Sequence, residues 1–503
     1  MKATHLICLI LPLTIIACAP APIIYQPSDK SGEPTGKVDK LKMLLPDKSP
    51  VRLVFVHGVG DHCPGYALDS RAGWLSTQNA AAMGLFPVPN PRPGHNGVSQ
   101  FIDVSVYMEG IRDGLSGVSY ATKDFVLKMP GREDIAVEAI EITWSSLTQW
   151  IKSNQLGYDS PLTSTDRENT RCLQPAGKEV PPTVQAPWRV PINKKIKEQV
   201  FDRNLADAVL YAGTYRETME RGLAEGLCHA ITSTSKDVKC VWPSAENESA
   251  TKLKNLFVTH SLGSRMTYDM FLDLTSTAEK NIFPPKERDN ARPFIQKMLE
   301  NTPAIYMMAN QLALLGLANV PPGIRSFGKT PRPLSLISPQ HALSSEAVSG
   351  LSHPGAVSKL EQMELRSEPP GVPESPITPN APIKATMPAV PTVFGDVLLK
   401  IRLLKERVAE ETRIPVTKLE IVSFNDTNDL LTWHIPRWYD SGEAKPTGEE
   451  NIHVTDVFVH NSIRWFYLFE NPAGAHLNYF NNSDVRDVIL CGADQGKVSG
   501  CQN

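Results

Sequence analysis

The sequence has no excess of charge of either sign and no hydrophobic run long enough to cross a membrane. Its 51 Lys and Arg residues nearly balance its 54 Asp and Glu residues, which gives a net charge of −3. A nucleic-acid-binding protein usually carries a basic face, so this balance argues against a nucleic-acid partner. The apolar run at 6–16 has 11 residues, whereas a membrane-spanning helix needs about 20.

The eight cysteines form no Cys-x-x-Cys pair, which argues against a zinc ribbon or a thioredoxin-like site. Two of the eight, Cys8 and Cys18, fall in or beside an N-terminal signal, and six remain. An even number suits disulfides in an oxidising compartment. Sequence cannot choose among their 15 pairings. Plausible near pairs are Cys228–Cys240 and Cys491–Cys501, which would leave Cys63 with Cys172.

The first residues are typical of a secretion signal. Lys2 precedes the apolar run at 6–16, and Cys18 directly follows an Ile-Ile-Ala sequence. This arrangement resembles the cleavage box of bacterial lipoproteins, in which the cysteine is lipidated and becomes the first mature residue. The resemblance implies a signal peptide over 1–17 and a lipid anchor on Cys18. The alternative is an ordinary signal peptide cut within a residue of Cys18.

Two further features follow the cysteine. Ala19 takes the position at which an Asp often holds lipoproteins at the inner membrane, so the resemblance implies outer-membrane attachment facing the periplasm. The rest of 18–50 is rich in Pro, Ser, Lys and Gly with little periodicity. We interpret 18–50 as the lipidated cysteine and a flexible tether.

Proline is distributed unevenly. Of the 42 prolines, 14 lie in 321–391, and eight of these fall within the 23 residues from Pro369 to Pro391. So many prolines exclude a packed helical unit there. We predict that 321–391 is an insertion or mobile lid.

Elsewhere the hydrophobic pattern alternates between strands and helices. Buried-type strands are predicted at 51–56, 124–130, 135–144, 253–259, 303–309, 419–424 and 452–460, and helices at 204–231, 264–275, 394–411 and 484–491. This alternation predicts an α/β fold with a mostly parallel central sheet and helices on both faces.

The strongest local motif is Thr259-His-Ser-Leu-Gly263, between a predicted strand and a predicted helix. It resembles the Gly-x-Ser-x-Gly nucleophile elbow of α/β-hydrolases, with Thr259 in place of the first glycine. The resemblance makes Ser261 the nucleophile. A second stretch, His57-Gly58 after strand 51–56, resembles the oxyanion loop of the same fold. The implied donors are the backbone N–H groups of Val59 and Leu262.

The glycine-rich stretch after His57 could instead bind phosphate, but no Lys-Ser/Thr pair follows its last glycine, Gly65. We expect His57 to be structural. His62 is a candidate substrate contact.

In α/β-hydrolases the acid and the histidine follow the serine in that order. Asp429, followed by two leucines, matches the acid best, and Asp426 is the alternative. Either could simply shape a turn. Four histidines follow Asp429: His434, His453, His460 and His476. His434 comes too early, and the next two fall within a predicted strand. His476 lies in a predicted loop after that strand and is the expected base.

Together these parts resemble an α/β-hydrolase of the serine lipase/esterase type covering 51–320 and 392–503, with 321–391 where the family often carries a lid. The resemblance implies hydrolysis of an ester or lipid through an acyl-enzyme, with no metal or cofactor required. An acyltransferase using the same triad and a non-catalytic binding or scaffold lipoprotein are alternatives. Sequence does not indicate the substrate or the oligomeric state.

Overall fold

A computed structural model describes most of the chain outside its N-terminus and its proline-rich part. The described residues are 22–25, 36–45, 49–71, 73–104, 117–128, 133–156, 190–234, 238–244, 253–276, 281–311, 315, 419–433, 452–461, 464–465, 469–470 and 472–499. The predicted signal peptide, Cys18, the insertion 321–391, the predicted helix 394–411 and His434 lie outside these residues.

A ten-stranded sheet forms the centre of the molecule, in the order β1-β10-β9-β8-β7-β2-β6-β5-β3, with β4 also on β5. Its strands are β1 Ile23–Tyr25, β2 Val51–Val56, β3 Leu85–Pro87, β4 Gln100–Asp103, β5 Gly117–Leu127, β6 Ile135–Thr143, β7 Lys254–His260, β8 Ala304–Met308, β9 Leu419–Asp426 and β10 Ile452–Val459. The six strands from β10 to β6 run parallel. The other pairs are antiparallel: β1 pairs with β10, β5 pairs with β6, and β3 and β4 both pair with β5. The predicted mixed α/β class with a mostly parallel sheet is confirmed.

Two short hairpins and a set of helices complete the described elements. Short hairpins pair β11 Arg464–Trp465 with β12 Phe469–Glu470 and β13 Ala493–Asp494 with β14 Lys497–Val498. The helices are α1 Leu41–Leu44, α2 Thr77–Ala82, α3 Ser146–Leu156, α4 Pro191–Ile196, a π-helix Lys197–Leu205, α5 Ala206–Ala212, α6 Arg216–Thr232, α7 Leu262–Thr275, α8 Pro285–Glu300, α9 Pro472–Leu477, a 3₁₀ turn Asn478–Asn481 and α10 Ser483–Cys491.

Hydrophobic cores lie on both faces of the sheet. Every residue of β2 is buried, as expected of a parallel strand covered on both sides. Val54 and Val56 pack in one core with helices α6, α7 and α8. Leu53 and Phe55, one residue out of phase, pack in the other core with α1, α2 and α10. Helices therefore cover both faces, as predicted.

The tether prediction is wrong for two parts of 18–50. Ile23–Tyr25 pairs with β10 as an edge strand, and Val38 bridges to Ala493. Ile24 and Val38 are buried, as is Leu45 after α1. Burial of these few apolar residues, in an otherwise polar segment, holds both stretches against the domain.

The predicted helix 204–231 is two helices, α5 and α6, interrupted at Gly213. Glycine is a poor helix residue, which accounts for the break. Cys228 and Cys240 form a disulfide with a Cα–Cα distance of 6.0 Å. Cys63 and Cys491 are also disulfide-bonded.

Candidate active site

The predicted nucleophile lies at the edge of the sheet formed by the carboxyl ends of the parallel strands. β7 ends at His260, and helix α7 begins at Leu262. Between them, Ser261 has φ 51° and ψ −125°, a conformation that costs a non-glycine residue about 1–3 kcal/mol. Its N–H donates to the Met308 carbonyl over 2.8 Å, so strand β8 helps to hold the turn.

The Ser261 hydroxyl is buried and unpaired. Its side chain is inaccessible to solvent, and the described residues offer its Oγ no hydrogen-bond partner. Leaving a buried polar group unpaired costs about 1–3 kcal/mol, and such groups in native structures call for an explanation. A strained serine with an uncommitted hydroxyl is the first feature of the site.

Glycines make this turn possible. A Cβ atom on Gly58 would overlap the Cβ of Ser261 and the ring of His260, and one on Gly263 would overlap the His57 carbonyl. The loop after β2 therefore packs directly on the elbow only because both positions lack a side chain.

Thr259 occupies the position of the motif's first glycine. Its hydroxyl hydrogen-bonds the Ser264 hydroxyl at 2.9 Å and donates to the Tyr306 carbonyl at 3.3 Å. The buried β-branched side chain is thus tolerated because its polar atom is paired.

Asp429 and His476 form a buried acid–base pair. Both carboxylate oxygens of Asp429 lie 2.9 Å from His476 Nδ1. This places the ring proton on Nδ1 and the lone pair on Nε2. No described residue hydrogen-bonds His476 Nε2, although the atom is buried. The pair therefore presents an unused basic nitrogen.

Asp426 lies nearby and has other partners. Its carboxylate accepts hydrogen bonds from the N–H groups of Asn428, at 2.9 Å, and Asn461, at 2.6 Å. Asp426 thus shapes the turn after β9 and joins it to the segment after β10. The structure brings Asp429, and not Asp426, onto His476.

Tyr479 is a further residue that contacts Asp429, and it is not predicted from the sequence. Its hydroxyl donates to Asp429 Oδ2 at 3.2 Å and accepts from the Asp426 N–H at 2.6 Å. Burial, with the charges of Asp429 and Asp426, raises the pKa of Tyr479 well above its usual value. The hydroxyl therefore stays protonated and donates. No local signal in the sequence links a tyrosine to a turn 50 residues earlier.

His476 lies in the last turn of helix α9, so the prediction of a loop there is wrong. Pro472 is the first residue of this helix, a position that suits its fixed φ. The backbone carbonyl of His476 accepts a hydrogen bond of 2.8 Å from His260 Nε2, and the two rings lie 5.1 Å apart. The base is therefore held against the residue preceding Ser261. The Ser261 and His476 side chains do not hydrogen-bond each other; such bonds often tighten only when substrate binds.

Residues 57–62, which we call the 57–62 loop, lie beside the elbow. His57 Nε2 accepts from the Trp144 N–H at 2.9 Å, its Nδ1 donates to the Gly58 carbonyl at 2.7 Å, and its ring stacks on Trp144 at 4.6 Å. Burial lowers the pKa of His57 well below its usual value. With both ring nitrogens engaged, His57 has a structural role here, as expected.

The two expected oxyanion donors are the residue after Ser261 and the residue after Gly58, which packs against Ser261. Leu262 is the first residue of α7, so its N–H has no acceptor within the helix. Val59 is buried between Gly58 and Gly60, and within the described ranges its N–H makes no hydrogen bond. His62 Nε2 bonds the Val59 carbonyl at 3.1 Å. Burial lowers the pKa of His62 to about 4, which leaves a neutral, half-buried imidazole in the loop.

One group of potential metal ligands occurs among the described residues, at the opposite end of the sheet. Ligand atoms of His95, Asp124 and Glu138 lie within 4.8 Å of one another. However, Arg92 pairs with both carboxylates, at 2.6 and 2.9 Å, and Arg52 pairs with Glu138 at 2.5 Å. Two cations already neutralise the two carboxylates, so this group does not favour a metal.

A Gly-x-x-x-x-Gly-Lys-Thr sequence at 323–330 lies outside the described residues. A phosphate-binding loop needs a strand before this pattern and a helix after it. In the sequence, prolines at 321 and 322 stand where the strand would end and prolines at 331 and 333 stand where the helix would follow, and this composition is typical of neither element. The pattern does not favour a nucleotide site.

Comparison with protein-family models, with curated proteins and with solved structures finds no match to this chain. Among the helices that the structure describes, none combines the length and apolarity needed to cross a membrane. The function must therefore be argued from the geometry of the site.

Proposed function

We propose that this chain is a serine hydrolase that cleaves carboxylic esters through an acyl-enzyme on Ser261. The observation that carries the proposal is the His476–Asp429 pair at 2.9 Å, beside a strained serine. Both the serine Oγ and the histidine Nε2 lack partners in the described part of the chain. A nucleophile, a base and an orienting carboxylate are the three parts of nucleophilic acyl transfer.

In the proposed reaction His476 Nε2 takes the hydroxyl proton as Ser261 Oγ attacks the ester carbonyl. The carbonyl oxygen becomes an oxyanion, which accepts hydrogen bonds from the Val59 and Leu262 N–H groups. His476 then gives its proton to the departing alcohol, leaving an acyl-serine. Water, activated by His476, then attacks the acyl-serine. This step releases the carboxylic acid product and regenerates Ser261. Asp429 stabilises the imidazolium while it exists.

The order of the parts along the chain supports an α/β-hydrolase fold. The serine follows central strand β7, the acid follows β9 and the histidine follows β10. Serine, acid and histidine have this order in that fold. The mostly parallel sheet with helices on both faces is the architecture that the fold requires.

We further propose that the substrate is an ester or lipid met at a membrane to which a lipid on Cys18 attaches the protein. The support is the sequence of the first 19 residues, which resembles that of an outer-membrane lipoprotein facing the periplasm. Replacing Cys18 by Ser should move the protein from the membrane fraction to the soluble fraction after export. Unchanged membrane retention would contradict the anchor.

Turnover of esters tests the reaction itself. Wild type should hydrolyse some members of a ladder of p-nitrophenyl esters and phospholipids, and Ser261→Ala should reduce kcat to background. Ser264→Ala is the matched control, since it removes a buried hydroxyl three residues away that is already paired with Thr259 at 2.9 Å. Turnover that survives Ser261→Ala, or that disappears equally in both variants, would contradict the proposal.

A further inference from the structure

A buried ion group contacts the 57–62 loop at Gly60 and Asp61. The ammonium of Lys152, on α3, donates to Asp61 Oδ1 at 3.1 Å, Asp207 Oδ2 at 3.1 Å and the Arg203 carbonyl at 3.0 Å. An ammonium has three donors, so all three are used. The side chains of Lys152 and Asp207 have no exposed surface. Breaking such a buried group is costly.

This ion group reaches the loop backbone at Gly60. The Gly60 N–H donates to Asp207 Oδ2 at 2.8 Å, and the Gly60 carbonyl accepts from the Ser145 hydroxyl at 3.0 Å. Gly60 has φ +103°, a conformation open mainly to glycine. Side-chain bonds on both of its backbone groups therefore fix this residue in an unusual geometry.

Val59 lies between two residues whose positions are fixed by contacts, Gly58 and Gly60. On one side Gly58 packs against Ser261 and His260, and on the other Gly60 is bonded to Asp207. A donor that stabilises an oxyanion acts only from the right position, and misplacement by 1 Å can cost about 100-fold in rate. Movement at Gly60 would move the adjoining Val59.

We infer that Lys152 and Asp207 are positioning residues that hold the Val59 N–H in place for the oxyanion. The inference rests on the proposed function and adds to it the part of the molecule that organises one of its donors. These two side chains do not touch the substrate; they act through Gly60.

The test compares an ester with the thionoester of the same acid and alcohol. Sulfur is a weak hydrogen-bond acceptor, so turnover of the thionoester depends less on the oxyanion donors. Lys152→Met and Asp207→Asn should each lower kcat for the ester by about 10- to 100-fold with little change in KM. The preference for ester over thionoester should fall by about 10-fold. Two variants are used because either alone could fail to fold.

The control is Arg52→Met, which removes the cation of another buried ion pair, with Glu138, at the opposite end of the sheet. It should lower stability and leave the ester-to-thionoester ratio unchanged. A ratio that is unchanged in both test variants, or that falls equally in the control, would overturn the positioning role while leaving the hydrolase proposal intact. A folded wild type that turns over neither substrate would overturn both.

Discussion

Two buried histidine–aspartate pairs lie at opposite ends of the sheet. His95 Nδ1 is 3.1 Å from Asp124 at one end, and His476 Nδ1 is 2.9 Å from Asp429 at the other. Two arginines neutralise the first cluster. Within the described residues, neither Lys nor Arg pairs with Asp429.

The difference shows that a buried histidine–aspartate pair does not by itself indicate catalysis. At the His476 end, Ser261 also has a positive φ, and its Oγ and the His476 Nε2 atom are buried without hydrogen-bond partners among the described residues. Unpaired buried groups and backbone strain both lower stability. A protein that retains them together has a reason other than stability, and the proposed reaction supplies one.

The histidines should give the largest contrast. His476→Ala should reduce kcat/KM by about 10³-fold or more, because no base then accepts the Ser261 proton. His95→Ala should leave kcat/KM within about 2-fold and lower the free energy of unfolding by about 1–3 kcal/mol. Ester turnover and urea unfolding measure the two quantities. Equal loss of activity in His476→Ala and His95→Ala would show that the two histidine–aspartate pairs do not differ in their role in turnover.

The aspartates should differ almost as much. Asp429→Asn should lower kcat by about 10³- to 10⁴-fold, since an amide cannot stabilise the imidazolium. Asp426→Asn should cost about 10-fold or less, because its carboxylate accepts the Asn428 and Asn461 N–H groups and shapes the turn after β9. Asp124→Asn, at the other end, should change stability alone. A greater loss of kcat in Asp426→Asn would make Asp426 the catalytic acid.

Tyr479→Phe should have a moderate effect at the His476 end. It removes the hydroxyl that donates to Asp429 and accepts from the Asp426 N–H. We expect kcat to fall by about 5- to 10-fold and stability by about 1–2 kcal/mol. Tyr306→Phe is the control, because that buried hydroxyl makes no hydrogen bond in the described structure. If kcat is unchanged in Tyr479→Phe, the acid does not depend on this bond.

Acid should reduce the stability contributed by the His476 end before it reduces that of the His95 end. Burial lowers the pKa values of His57 and His260, and that of His62 to about 4. These histidines therefore bind more protons in the unfolded chain below pH 6.5, and the stability that they contribute should fall as pH decreases from 7 to 5. At the other end, burial raises the pKa of Asp124 and the hydrogen bonds from Arg92 lower it. The net change is a decrease. That stabilisation is fully present above the carboxyl's unfolded pKa of about 4 and is lost only as pH falls below this value.

His62→Gln tests this assignment by urea unfolding at pH 7 and pH 5. The variant should lose less stability between the two values than wild type, by on the order of 1 kcal/mol. An identical pH dependence in the two proteins would show that His62 is not held neutral.

Much of this site could be predicted because its signals are local. The apolar run at 51–56, the turn at Ser261 and the chain order of Ser261, Asp429 and His476 are visible without any contact information. These features indicated the central strands and selected an aspartate and a histidine that lie 2.9 Å apart in the structure.

The rest depends on contacts between distant parts of the chain. The His260–His476 bond joins residues 216 apart, and Lys152 reaches Asp207 across 55 positions. The periodicity of hydrophobic residues along the sequence does not indicate such pairs. Edge strand β1 was missed because three apolar residues in a polar segment are too few to make a pattern. Helix α8 was missed, and it contains Pro293 inside a polar-rich sequence.

Labelling of the nucleophile tests the central claim most directly. After treatment of the protein with a fluorophosphonate, intact mass spectrometry should show one adduct, and peptide mapping should place this adduct on Ser261. His476→Ala should slow the labelling by about 10³-fold, whereas His95→Ala should label as fast as wild type. An adduct on another residue, or labelling of Ser261 that does not depend on His476, would contradict the account.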